Sequence, residues 1–162
     1  MAVAIGYRAP PPPEDMAELR LLMELTAVRR LAHRGLSGGE LALVTRLADA
    51  TIRAARSRDV PRYVPADTNF HLCLLELPGD PVLHRIARLL LAPDRMRVPR
   101  AEEPHHLMAR EAREHRELAG LVADGMVSAA DQLLRLHLSR RSAGRLALPS
   151  LAEPELISFA GG

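Results

Sequence analysis

The chain has 162 residues, 22 basic against 20 acidic side chains, a formal net charge of +2 and a hydrophobic fraction of 48%. That is the composition of a globular protein of one domain or slightly more, on a prior of roughly 100–200 residues per domain. It excludes several classes: no apolar run approaches the ~20 residues that span a bilayer, and a proline run stands where a signal peptide would have its apolar core. The lone Cys73 leaves no disulfide framework and no cysteine-based zinc finger.

A reducing, cytoplasmic compartment is therefore expected. Every basic residue is arginine, and the aromatics are only Tyr7, Tyr63, Phe70 and Phe159. Arginines and acids are interspersed along the chain, and so few aromatics give no stacking platform for single-stranded nucleic acid. The isoelectric point of about 9.3 does not by itself mark a nucleic-acid binder.

Residues 1–15, MAVAIGYRAPPPPED, read as an extended Pro-rich leader, because consecutive prolines cannot enter a helix interior. From Met16 the apolar positions Leu19, Leu22, Met23, Leu25 and Val28 take a helical period as far as Arg34, and Gly35 stops it. Ser37-Gly-Gly-Glu40 reads as a capping box that opens a second helix ending near Asp59. Pro61 and Pro65 interrupt the next stretch, so a third helix is expected from about Pro65 to the turn Pro78-Gly79-Asp80-Pro81.

A short fourth helix is predicted from Val82 to about Ala92, packing Val82, Leu83, Ile86, Leu89 and Leu90, with a Pro-punctuated loop after it over 93–104. A fifth covers His105 to Ala123, Asp124-Gly125 turns the chain, and a sixth runs from Val127 to about Ala143. No window alternates as a strand would. The expected fold is all-α, an antiparallel bundle of about six helices over residues 16–143, with a tail over 144–162.

Three of those helices carry metal-capable side chains on their apolar faces. Asp67 and His71 lie four residues apart, on one helix face with Leu74 and Leu75. His115 shares a stripe with Met108, Ala112, Leu118 and Val122, and His137 shares one with Ala130, Leu133 and Leu134. One carboxylate and three imidazoles suit a divalent transition ion such as Zn²⁺, Ni²⁺ or Mn²⁺, either in a closed tetrahedral shell or with positions left open. Histidines on apolar faces also occur as core residues bonded to backbone carbonyls, and spacing leaves both readings open.

The remaining histidines read otherwise. His33 sits at a helix C-terminus, where a cation suits the dipole, His84 begins a short helix, and His105-His106 come after Pro104 at a helix start. Catalytic motifs are missing: no phosphate loop, no G-x-S-x-G elbow and no H-E-x-x-H. Cys73 reads as a small buried hydrophobe, Glu102-Glu103 as a solvated loop pair, and Ser139 as turned away from the face of His137.

Three segments together resemble a known family. DTNFHLCLLELPGDPVL is similar to the D-x-x-F-H … G-N-P-x-L signature of the FCD domain, the ligand-binding half of GntR-family bacterial transcription regulators of the FadR type. EHRELAGLVADG with SAADQLLRLHL after it resembles that domain's closing pattern, and ELRLLMELTAVRRLA its opening helix, over about residues 17–143. The resemblance implies an all-helical bundle that often holds a metal ion, with ligands matching Asp67, His71, His115 and His137. It also implies a small organic acid bound beside the metal, with Arg20 matching an arginine that faces the cavity. Arg20 could equally pair with Glu24 across one helical turn.

Two residues depart from the family pattern: Asp80 stands where Asn is preferred, and Pro65 lies two residues before Asp67, where it could bend the ligand-bearing helix. Such regulators also carry an N-terminal winged helix-turn-helix, and GYRAPPPPED looks like the end of its wing and the linker. DNA binding is thus expected of the parent architecture, not of these residues.

The leading expectation is a non-enzymatic, metal-dependent effector-sensing domain of a regulator, whose ligand shifts a conformational equilibrium. A homodimer is expected because operators are commonly two-fold, although the helix exteriors show no apolar seam. The alternatives are a small metalloenzyme whose His₃Asp ion activates water, and a metal-free helical interaction module.

Overall fold

A computed structural model describes residues 13–91 and 105–146. The described residues form six helices: α1 (Pro13–Arg34), α2 (Gly38–Arg56), α3 (Val60–Glu76), α4 (Pro81–Leu90), α5 (His105–Ala123) and α6 (Val127–Leu146). They contain no strand, and none of the helices is long and apolar enough to cross a membrane. Most of the expected leader, the 93–104 loop with Glu102-Glu103, the packing of Leu89 and Leu90, and the tail beyond residue 146 lie outside the described residues.

Helix ends obey local chemistry. Ser37 caps α2 in a complete capping box: its Oγ accepts from the Glu40 N–H at 3.3 Å, and the Glu40 carboxylate accepts from the Ser37 N–H at 2.8 Å. Asp80 caps α4, its Oδ1 accepting from the Val82 and Leu83 N–H groups at 3.0 and 3.1 Å. Aspartate and asparagine cap equally well, so the departure from Gly-Asn-Pro costs the turn nothing. Gly125, at φ 70°, closes the α5–α6 turn in the left-handed region, where a Cβ would stand 3.4 Å from the Ala32 carbonyl.

The start of α3 differs from expectation. The helix begins at Val60 and not at Pro65, because Asp59 caps it, accepting from the Arg62 N–H at 3.1 Å. Pro61 falls in the first turn, where its missing N–H has no helical partner to lose. Pro65 lies one turn further in and forfeits a single helical hydrogen bond. The helix runs through it without a break. Similarly, α1 starts at Pro13, three residues before Met16, since a proline fits the first turn of a helix. The fourth helix is shifted slightly, to Pro81–Leu90, and α6 continues beyond Ala143 to Leu146.

Packing centres on α2, which lies against α3 and α5, while α1 packs along α6 and α5 lies beside α6. The shorter α4 covers α3 and the flank of α1. The main core gathers Leu25, Val28, Leu31, Phe70, Leu74, Leu118, Val122 and Leu134 from four helices. Each such side chain contributes about 1.5–3 kcal/mol by leaving water. An α1–α6 ion pair, Arg29 Nε to Asp131 Oδ1 at 2.6 Å, lies on the bundle's exterior. These contacts bring α3, α5 and α6 round one interior point.

Candidate metal centre

Helix α3 delivers Asp67 and His71 one turn apart, α5 delivers His115 and α6 delivers His137. All four are buried, at 1%, 0%, 0% and 2% exposure. The Nε2 atom of His137 lies 3.2 Å from that of His115 and 3.3 Å from that of His71. Asp67 Oδ1 stands 3.5 Å from His115 Nε2 and 3.8 Å from His71 Nε2. One ligand atom from each of the four residues falls within 4.8 Å of the others. Pro65 has not displaced Asp67 from this group.

The outer ring nitrogens decide the protonation pattern. His71 Nδ1 lies 2.7 Å from Glu24 Oε2, and His137 Nδ1 lies 2.8 Å from Glu114 Oε2. A carboxylate only accepts, so both Nδ1 atoms carry the hydrogen and donate it. His115 Nδ1 lies 3.2 Å from Thr51 Oγ1, and the Thr51 hydroxyl is already donated to the Ala48 carbonyl at 2.7 Å. The Thr51 oxygen therefore accepts from His115 as well. With Nδ1 the outward donor in each ring, the three Nε2 atoms are the ones turned toward one another, and each offers a lone pair when its ring is neutral.

That donor set fits a transition ion. Metal–nitrogen bonds of about 2.0–2.1 Å place neighbouring nitrogens about 3.0 Å apart at right angles and about 3.4 Å apart at the tetrahedral angle. The separations of 3.2 and 3.3 Å fall between these values. Borderline imidazole nitrogens with one carboxylate oxygen are a ligand set for Zn²⁺, Ni²⁺ or Mn²⁺.

The two outer carboxylates are themselves held. Arg20 Nε donates to Glu24 Oε1 at 2.6 Å, and Arg140 donates to Glu114 Oε1. Burial pushes the Glu24 carboxyl up, but the Arg20 guanidinium and the His71 ring outweigh it and hold its pKa down to about 2. Phe70, fully buried, stacks on His115 with ring centres 4.3 Å apart and an interplanar angle of 27°. It also meets His71 edge-on at 5.5 Å. Phe70 thus covers two of the three rings.

All four residues singled out for metal binding converge. Arg20 takes the Glu24 pairing, which links it through that carboxylate to the His71 ring. His33, His105 and His106 are exposed, and His84 lies 3.2 Å from Glu76 on the outer side of α4. Ser139 is exposed, with its hydroxyl on the Leu136 carbonyl. Two surface hollows, one lined by Glu76, His84 and Arg88 and one by Arg29, Arg30 and Arg34, include none of the four.

The roles of Thr51, Glu24 and Glu114 escape the sequence reading. Each occupies a core position: Thr51 lies on the buried stripe of Val44, Ala48 and Ala55, Glu24 lies between Met23 and Leu25, and Glu114 sits beside His115. A polar residue on an otherwise apolar stripe is the available signal.

The family profile of the FCD domain matches residues 15–140. The chain belongs to the FCD domain family, the helical half of the GntR-type regulators that its motifs resemble. Among solved structures, it superposes on E. coli McbR/YncC with a TM-score of 0.69 at 17% identity, covering 80% of this chain and 62% of that one. It superposes on a structure described as Lar, which controls the expression of the Listeria monocytogenes agr system and mediates virulence. Here the TM-score is 0.72 at 16% identity, covering 83% of this chain and 63% of that one. The chain therefore spans less than two thirds of either structure, and at these identities the likeness carries the fold alone. No curated protein sequence matches the chain significantly.

Proposed function

We propose that this domain is the effector-sensing part of a transcription regulator and that it senses through a bound divalent transition ion. Asp67, His71, His115 and His137 hold the ion, which is Zn²⁺, Ni²⁺ or Mn²⁺. A small organic acid binds through a carboxylate oxygen at a position the protein leaves open. Arg20 is the guanidinium this reading gives the acid, since it is part-buried and linked through Glu24 to His71. Ligand binding shifts a conformational equilibrium that a DNA-reading unit, in a dimeric assembly, responds to.

The observation that carries the reading is the convergence of three Nε2 atoms, that of His137 lying 3.2 and 3.3 Å from those of His115 and His71, with Asp67 Oδ1 beside them. Family membership supports a regulatory role. The position of the buried glutamates favours sensing over hydrolysis. Glu24 and Glu114 face the outer ring nitrogens, and a general base for a metal-bound water would have to face the inner ones.

The test is thermal melting of Zn²⁺-loaded and EDTA-treated protein with a panel of short mono- and dicarboxylates. A carboxylate that raises Tm only in the loaded protein supports the reading. Equal responses with and without metal contradict it.

A further inference from the structure

We infer that Glu24 and Glu114 are positioning residues of the metal centre and that Arg20 and Arg140 are their fixed counter-charges. The inference rests on the metal reading proposed for this site, and extends it from the four ligands to the groups that aim them.

The same three-residue chain occurs twice, on different helices. On one side it runs Arg20–Glu24 from α1 to His71 on α3; on the other, Arg140 from α6 to Glu114 on α5 and back to His137 on α6. In each, one carboxylate oxygen takes the imidazole Nδ1–H and the other takes a guanidinium. Glu24 is 0% exposed and Glu114 8%. Buried acids are rare unless paired, and a buried ion pair adds little or nothing to stability over well-packed apolar residues. Folding therefore does not account for two such chains that both end on an imidazole of one cluster.

Their chemistry accounts for them. A carboxylate on Nδ1 fixes the ring's orientation and tautomer and makes Nε2 a stronger donor to a metal. Thr51 does the same for His115 with a neutral oxygen. Because Arg20 faces Glu24, and Arg140 with Arg110 at 3.6 Å faces Glu114, neither glutamate adds net negative charge. The divalent ion is then countered in its own shell by Asp67 alone, and the centre stays cationic toward an anionic ligand.

The experiment uses the full chain and Zn²⁺ as the probe, with affinity measured by competition against a fluorescent chelator. Zn²⁺ affinity should fall about 10–100-fold in Glu24→Ala and in Glu114→Ala. Glu24→Gln and Glu114→Gln keep an acceptor oxygen and should lose less. In parallel, ¹⁵N spectra of histidine-labelled, metal-free chain should show His71 and His137 protonated at Nδ1 in the unaltered and Gln forms, and tautomer mixtures in the Ala forms.

Should an alanine variant not fold, Arg20→Met/Glu24→Met or Arg140→Met/Glu114→Met removes the carboxylate together with the arginine that donates to it and is read the same way. Folded alanine or methionine variants that bind Zn²⁺ as tightly as the unaltered chain, or keep its tautomers, overturn the inference. If the unaltered chain binds none of Zn²⁺, Ni²⁺ and Mn²⁺, the metal reading falls, and the nitrogen spectra alone decide whether the glutamates position the rings.

Discussion

The Nε2 atoms of His115 on α5 and His137 on α6 lie 3.2 Å apart, and the protons of both rings are committed to Thr51 and Glu114 on the far side. Two lone pairs at that distance repel, and a cation between them turns the repulsion into coordination. Stability should therefore respond to metal. At a free Zn²⁺ concentration one hundredfold above its Kd, linkage adds about 2.7 kcal/mol, or a Tm rise of about 5–10 °C in a chain of this size. The rise should disappear in His115→Ala, as differential scanning calorimetry would show.

The capping box makes α2 sensitive to acid. The Glu40 carboxyl is held down to about 2 from 4.5, first by the Arg34 guanidinium and then by the Ser37 N–H. An acid whose pKa is depressed on folding contributes stability that is complete above its unfolded value and lost as pH falls through its folded value. The Tm gap between the unaltered chain and Glu40→Gln should thus be constant above pH 4.5 and close as pH drops toward about 2. A gap that stays open at the acid end would contradict the assignment.

Arg58 closes the α2–α3 turn with φ at 56°, in the left-handed region where a Cβ is strained. Glycine takes that conformation freely, though it also loosens the unfolded chain. Arg58→Gly should raise stability by about 0.5–1 kcal/mol, and Arg58→Val should lower it by more than that. Urea unfolding of the pair reads both signs.

Cys73 faces the core, and burial pushes its thiol up to about 11, with Glu76 and Glu40 adding to the effect. The thiolate is the reactive form. Iodoacetamide should label native protein far more slowly than urea-unfolded protein at the same pH, a contrast that mass spectrometry tracks directly. Equal rates would mean that α3 opens locally around Cys73.

Much of this architecture is legible in the sequence because its signals are local. The bounds of α5 are set by Pro104 before it and Asp124-Gly125 after it, and the stripes of His115 and His137 come from helical period. The start of α3 is harder to read, because prolines break helices in their interiors but not in their first turn; the cap at Asp59 decides which case applies. The outer carboxylates are least legible. A glutamate on a helix is ordinarily solvated, and Glu24 and Glu114 are buried only because another helix brings an imidazole to meet each one. That is a property of packing, which single-helix periodicity does not carry.

The central claim is that Asp67, His71, His115 and His137 hold a divalent ion. Its most direct test is elemental analysis of protein purified without chelator, combined with X-ray absorption at the metal edge. A stoichiometric transition metal with a nitrogen-rich shell, lost in His137→Ala, is the predicted result. Metal-free protein that neither takes up Zn²⁺, Ni²⁺ or Mn²⁺ nor changes in Tm when they are added would contradict it.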